Sequence, residues 1–424
     1  MFQKIVETMG TKIISALLSF LVVILTTQYL GAEGRGIVAI ITTTIGIILL
    51  INNFVGGPAL VYLVPRRNPI FLILLSYIWA FLIFLISLIT LYFINWNLKH
   101  WNFYICFLSL IWSFVSIHIM VMAGRENLRI YNLILLLQAA VNFIALFIFF
   151  VFLKKQTVSY FVLSFFLSYI IPLIVSYFFV KDFFRGFFFQ KFENIRDILK
   201  EVTGLGFMAQ LGNMIQFMNY RLSYYFLNYY CDHSSVGIYS VGVALAEAVW
   251  IIGNSIALVQ YSKIANSNDI NYSRRISIQL SKLSLSLTLL AIFFLLLLPA
   301  KFFALIFGKD FLHVKVILAF LSTGIIALGF GTIMAHYFAG TGRYYVNTLG
   351  ASIGLISTIL FNLILIPEYK SAGAAISASL SYLTTTIFLT WRFVKDTGVL
   401  LSEFIPDKED INLIMKKLGL KREL

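Results

Sequence analysis

Apolar residues run along this chain in stretches of about 20, too long and too evenly spaced for the core of a water-soluble domain and matched to the thickness of a bilayer. The pattern predicts helices at roughly 12–30, 37–64, 70–94, 103–123, 131–153 and 158–180, then 204–230, 236–262, 276–299, 313–338, 345–366 and 371–394. Most ends carry a physical marker. Gly31 and Gly34 follow the first helix, Pro65 the second, Trp96 and Trp101 flank the third connection, and Pro299 and Pro367 stand at later ends. Gly56-Gly57-Pro58 predicts a kink in the second helix, because proline removes a backbone donor. Lys4 and Lys12 precede the first segment as in a signal peptide, but no small-x-small cleavage site follows and the next helix begins at once.

Composition agrees with a membrane solvent. Sixty per cent of the residues are hydrophobic and 12% are charged, where soluble domains carry about 25% charged residues. Cytoplasmic loops are enriched in Lys and Arg. With the N-terminus inside, 23 of these residues fall on the cytoplasmic side and 8 outside, and Arg221 alone lies within a helix. An even number of helices with both termini cytoplasmic is the consistent solution. The net charge of +14 then reflects topology and anionic lipid headgroups rather than nucleic-acid binding.

The longest internal connection separates two sets of six helices. The expected organisation is a six-helix bundle over 1–180, a cytoplasmic amphipathic linker over 181–203, a second six-helix bundle over 204–394 and a cytoplasmic tail over 395–424. Weak internal repetition supports two related halves. Gly36-Ile37-Val38 recurs as Gly237-Ile238-Tyr239, and Met122-Ala123-Gly124-Arg125 recurs as Phe338-Ala339-Gly340 followed by Gly342-Arg343.

Several short stretches carry a family resemblance. Tyr29-Leu30-Gly31-Ala32-Glu33-Gly34-Arg35-Gly36 and Val236-Gly237-Ile238-Tyr239-Ser240 resemble signatures of the polysaccharide flippases in the multidrug/oligosaccharidyl-lipid/polysaccharide exporter superfamily. So do Ile306-Phe307-Gly308-Lys309-Asp310, Ala339-Gly340-Thr341-Gly342-Arg343, Asn362, Ile366-Pro367 and Ala372-Gly373-Ala374-Ala375, in that order. Two positions depart: Lys370 stands where the family commonly has Gly, and Ser223 where it often has an acid. The resemblance implies an all-α integral membrane fold of about twelve helices in two pseudo-symmetric six-helix bundles around a central cavity, a MATE/MurJ-like arrangement. It implies a flippase of the bacterial inner membrane that moves an undecaprenyl-pyrophosphate-linked oligosaccharide outward by alternating access, for O-antigen, capsule or exopolysaccharide synthesis. Polysaccharide polymerase and other assembly proteins would be its partners, no cofactor is needed, and the coupling ion, proton or sodium, is left open.

Ionisable groups inside a bilayer are costly and usually face a cavity or a partner, which singles out Arg221, Glu247, His118 and His336. Arg221 and Glu247 fall at comparable depth on adjacent helices. On a helical wheel, Gln210, Asn213, Tyr224, Tyr225 and Asn228 lie within about 60° of Arg221, and Ser240 and Asn254 within about 20° of Glu247. Two readings remain open: an Arg–Glu bridge that ties two helices, or a site in which Arg221 attracts pyrophosphate while amides and tyrosines contact sugar hydroxyls. Arginine suits the second because its fork donates two parallel hydrogen bonds. Glu33, Arg35, His118 and His336 are candidates for gating or coupling. Tyrosines and tryptophans near helix ends read as interfacial belt.

No phosphate-binding Walker loop and no His/Cys/Asp cluster with metal-ligand spacing is present in the sequence. External connections are too short for the acid/base machinery expected of a membrane polymerase. The competing transport readings are a multidrug/cation antiporter and a lipid II flippase.

Overall fold

The structure is a computed structural model that describes residues 2–94, 98–184, 195–267 and 269–404. Trp96, the linker residues Arg185, Lys191 and Glu193, and the tail from Ile405, with Lys408, Ile411, Lys416 and Lys421, lie outside the described residues.

Among the described residues every long element is a helix: α1 (Phe2–Gly56), α2 (Pro58–Leu63), α3 (Pro69–Phe93), α4 (Asn102–Gly124), α5 (Leu128–Phe147), α6 (Val158–Val180), α7 (Ile195–Tyr230), α8 (His233–Ala265), α9 (Ile270–Leu297), α10 (Ala300–Phe307), α11 (Val314–Gly340) and α12 (Tyr344–Thr397). Among the described residues, nine helical stretches are long and apolar enough to cross a membrane. Two of them, Gly10–Leu63 and Tyr344–Thr397, have 54 residues each, about 80 Å at 1.5 Å per residue, against a hydrocarbon core of about 30 Å. Each is two spans joined at a reversal. In α1 the reversal is Gly31 (φ 66°, ψ −171°), and in α12 it is Lys370 (φ 49°, ψ −128°). With α7, the least apolar of the long helices, the spans number the twelve that the apolar runs predict.

Local chemistry sets the ends. Asn68, Asn127 and Asp269 accept hydrogen bonds from the first backbone N–H groups of α3, α5 and α9, as N-caps do. The predicted kink at Gly56-Gly57-Pro58 is a full break, with Gly57 outside the helical region and Pro58 opening α2. Helix α7 is described from Ile195 rather than from near 204, and so includes 195–203, the described end of the stretch expected to be linker. There Glu201 pairs with Arg67 at 2.6 Å, and the hydrogen bond from that guanidinium holds the Glu201 carboxyl below its ordinary range.

The chain divides into two compact units. The first holds the chain up to Phe217 with Asp232–Ser240 and Ala304–Phe311; the second holds Met218–Cys231, Val241–Phe303 and the chain from Leu312. In the first unit, Ile41, Ile45, Ile105, Leu146, Phe150 and Phe161 form a buried core across α1, α4, α5 and α6. Backbones also meet directly. A Cβ on Gly36 would lie 1.7 Å from the His233 carbonyl oxygen, and one on Gly237 would lie 1.9 Å from that of Ala32. The contact is reciprocal, each glycine facing the carbonyl four residues before the other, so the repeated Gly-Ile pair of the sequence is a crossing point with room for no side chain.

The second repeat is also visible in three dimensions. Helix α4 ends with Glu126 N–H to Ala123 O and Asn127 N–H to Met122 O; α11 ends with Gly342 N–H to Ala339 O and Arg343 N–H to Phe338 O. Both are Schellman turns, with left-handed Glu126 (φ 59°) and Gly342 (φ 77°) in the same position. Gly124 packs on Val61 and Val64 in the first unit, and Gly340 on Tyr261 and Ile264 in the second.

Lys370 adopts a backbone conformation that favours glycine. Relief of strain of about 1–3 kcal/mol, less about 0.4–1 kcal/mol for the greater freedom of glycine in the unfolded chain, leaves a net gain. Lys370→Gly is therefore expected to raise the melting temperature of the detergent-purified protein by about 1–2 °C. A lowered value would mean that the surrounding helix, not the residue, sets this conformation at no cost.

Candidate functional site

The second unit brings together the two ionisable residues that stand out in the sequence. Arg221 on α7 donates from Nη2 to Oε1 of Glu247 on α8 at 2.6 Å, and from Nη1 to the Tyr224 hydroxyl at 2.9 Å. Tyr224 is three residues on, on the same helix face, and its ring lies 5.5 Å from the guanidinium carbon. The pair is not sealed in: the Arg221 side chain is 24% exposed and that of Glu247 42%. Each charge offsets the other's desolvation while keeping an open edge.

Beside the pair is a narrow cleft with aromatic walls. Tyr220, Val243, Glu247, Trp250, Leu321 and Tyr382 line it, drawn from α7, α8, α11 and α12. Tyr220 meets Trp250 edge to face at 5.3 Å and Tyr382 at 5.7 Å. Trp250 donates its indole N–H to Thr332 Oγ1 at 2.9 Å, and that hydroxyl donates to the Leu328 carbonyl at 2.7 Å. These three aromatics were not among the candidates from sequence. The available signal was position: Tyr220 adjoins Arg221, and Trp250 follows Glu247 by one helical turn, away from any helix end.

Other residues from the helical wheel are spread along the helix axis. Gln210 and Asn213 are about 16 and 12 Å from Arg221 at 1.5 Å per residue. They fall in the first unit, where Asn213 donates to the buried Gln210 at 3.2 Å. Tyr225 and Asn228 are half-buried, and the Asn228 Oδ1 is enclosed without a hydrogen-bond partner. Asn254 is half-buried two turns beyond Glu247. Ser240, two turns before it, accepts instead from Arg35 Nε at 3.2 Å in the first unit.

A second polar cluster, with no formal charge, ties α7 to α12. Asn219 Oδ1 accepts from Thr358 at 2.5 Å and from Ser381 at 2.7 Å, and one turn later Asn362 donates to Ser223 at 3.1 Å. All five side chains are buried. Ser223, where the resemblance leads one to expect an acid, therefore sits in a neutral pair.

The gating and coupling candidates separate clearly. Glu33 is exposed. Arg35 reaches Thr26 as well as Ser240, the former at 3.3 Å. Next to it, Asp310 accepts from the Ala32 N–H at 3.1 Å and the Gln28 amide donates to the Leu305 and Ile306 carbonyls at 2.8 and 2.7 Å. His118 is fully buried. Its Nε2 meets the Tyr77 hydroxyl, and its Nδ1 meets Ser176 Oγ at 2.7 Å. The Ser176 hydroxyl also donates to the Leu173 carbonyl at 3.0 Å, so both ring nitrogens of His118 are engaged with neighbouring hydroxyls. His336 is half-buried and holds the Thr332 carbonyl at 2.9 Å. No group of three or more His, Cys, Asp or Glu converges among the described residues.

Comparison with known proteins bears on the family and on the fold. A family model described as polysaccharide biosynthesis protein matches residues 1–261. The chain is similar to the capsular polysaccharide biosynthesis protein CapF of Staphylococcus aureus, 27% identical over 160 residues that make up 36% of this chain and 39% of CapF. The chain thus matches well under half the length of that relative. Among solved structures it is similar to the lipid II flippase MurJ in an inward closed conformation, with a TM-score of 0.72 at 16% identity, covering 99% of this chain and 92% of MurJ. It is also similar to an inward-facing multidrug resistance transporter of the MATE family, with a TM-score of 0.68 at 14% identity, covering 91% of this chain and 96% of the other. At these identities the two structures establish the fold.

Proposed function

Because the chain belongs to the polysaccharide biosynthesis protein family, we propose that it is a flippase that carries an undecaprenyl-pyrophosphate-linked oligosaccharide from the cytoplasmic to the external leaflet of a bacterial inner membrane by alternating access. The observation that carries this reading is the half-open Arg221–Glu247 pair inside the spans of the second unit. A buried bridge that served only to tie α7 to α8 would be best closed off from water, whereas this one keeps an edge free. The guanidinium is held flat by Glu247 and Tyr224, so its fork is oriented before cargo arrives. Phosphate oxygens can then replace the carboxylate, which accepts one hydrogen bond from Nη2, and take two parallel ones from the fork. The polar groups of the spans move a molecule and make no covalent change in it. The family and the similarity to CapF favour capsule or a related surface polysaccharide as the end product, with the polymerase and other assembly proteins acting downstream.

Both termini are assigned to the cytoplasm on the excess of Lys and Arg there, and the basic loops face anionic lipid. Reporter tags within 181–203 and after Lys395 are expected to be cytoplasmic. A tag found outside in either place would invert the assignment.

Arg221→Gln is expected to leave the protein in the membrane and to abolish export, and Arg221→Lys to restore only part of it, since an ammonium keeps the charge and loses the fork. The bridge alone predicts something else: lowered abundance for Arg221→Gln, from an unpaired Glu247, and recovery in Arg221→Gln/Glu247→Gln. Export and abundance measured side by side for the three variants separate the outcomes. A fully active double variant at normal abundance would overturn the substrate reading.

A further inference from the structure

The first unit holds a cavity of about 530 Å³ between the opening turns of α4 and α6, inside the range of roughly 300–1,000 Å³ usual for small-molecule sites. Its mouth is polar and aromatic, with His100, Trp101, Tyr104, Ser159 and Tyr160, and its interior is hydrocarbon. Phe103 stacks on Phe107 with centroids 5.7 Å apart and planes at 9°, and Phe107 on Phe166 at 6.2 Å and 18°. A column of nearly parallel rings thus runs down the wall from one helix to the other. The lining extends from His100 to Leu108 and from Ser159 to Phe166, about 10–12 Å at 1.5 Å per residue, close to the hydrocarbon depth of one leaflet, about 15 Å. Helices α4 and α6 both begin on the membrane face opposite the N-terminus, where Trp101, Tyr104 and Tyr160 have the apolar body and polar tip of interfacial residues.

Charge adds the second half of the picture. The connections leading into α4 and α6 carry Lys99, Lys154 and Lys155, all exposed, and no acidic residue occurs from Gly34 to Arg125 or between Glu126 and Asp182. Three of the eight cations assigned to this face therefore flank one groove, on the side where the topology rule leaves cations sparse. Helix α6 opens at Thr157 with no side-chain cap, so the positive end of its dipole adds to the lysines. The ring-walled interior fits a hydrocarbon chain and the mouth fits an anion. A sugar would find no hydrogen-bond partner below the first turn, an organic cation would be repelled by the lysines, and an undecaprenyl chain is several times longer than the groove.

We propose that this groove is a binding site for an anionic glycerophospholipid of the leaflet it opens to, with one acyl chain along the Phe103–Phe107–Phe166 column and the phosphate held at the mouth by Lys99, Lys154 and Lys155. The bound lipid braces the ends of α4 and α6 at the headgroup level. The site is independent of the role of Arg221, which belongs to the second unit.

Native mass spectrometry of the full chain in detergent tests the site, with phosphatidylglycerol, phosphatidylcholine and undecaprenyl pyrophosphate titrated separately and in competition. Phosphatidylglycerol is expected to bind about tenfold more tightly than phosphatidylcholine, and Lys99→Gln/Lys154→Gln/Lys155→Gln to cut that preference below about twofold. Leu163→Trp fills the groove from its exposed rim and is expected to weaken both phospholipids about tenfold. Equal binding of the two phospholipids by the native chain would overturn the proposal, as would a preference that survives the triple variant or a phosphatidylglycerol affinity unchanged by Leu163→Trp. Undecaprenyl pyrophosphate that displaces phosphatidylglycerol and is itself weakened by Leu163→Trp would overturn it too, and assign the groove to cargo. Should Leu163→Trp not accumulate, Ser159→Trp at the exposed mouth carries the same expectation and the same refutation.

Discussion

Inside a bilayer no water is available to a backbone N–H or C=O, so every break in a helix must bring its own partners. The places where this chain departs from regular helix show how closely that requirement is met. At the Gly31 reversal the Ala32 N–H is taken by Asp310, and the Gln28 amide takes two carbonyls at the end of α10. The ends of α4 and α11 close on themselves through matching Schellman turns. Because α10 and the start of α8 supply contacts to the first reversal, residues distant in sequence are held within the first unit. The Gly36–Gly237 crossing then follows, since only glycine lets two backbones approach so nearly.

The same rule governs side chains. Buried side chains of α7 and α12 form a neutral ladder of Asn219, Ser223, Thr358, Asn362 and Ser381, in which Asn219 pairs through its oxygen while its Nδ2 is enclosed without a partner. His118 is pinned between Tyr77 and Ser176, which makes it a tie between α3, α4 and α6. Against this background of enclosed groups, Arg221 and Glu247 differ: paired with each other, they keep an exposed edge and share a cleft with three aromatic rings. A site on α7, α8, α11 and α12 is built on continuous helices, which holds its groups more firmly than loops could.

The spans were legible in the sequence because an apolar run of about 20 residues is a strong and local signal. Reversals were legible at Gly31, where glycine marks the turn, and less so at Lys370, whose side chain conceals a glycine-like backbone. The early start of α7 was hidden because charge alternation in 195–203 reads equally as a surface helix and as the first turns of a long one. Arg221 and Glu247 stood out because charge is rare inside spans. The residues around them were harder. A helical wheel records angle and ignores rise, so Gln210 and Asn213 shared a face with Arg221 while being about 12–16 Å away along the axis. Trp250 and Tyr220 were not singled out because composition does not say which of many rings face inward.

The central claim is that this chain moves a lipid-linked saccharide across the membrane. The most direct measurement is the sidedness of that lipid in cells lacking the gene, read with a membrane-impermeant reagent that modifies only externally exposed sugars. The account predicts that lipid-linked saccharide accumulates while glycosyl transfer continues, and that it is protected from the reagent until the membrane is opened. Single repeat units that accumulate outside, open to the reagent and never joined, would contradict it and assign the missing step to polymerisation.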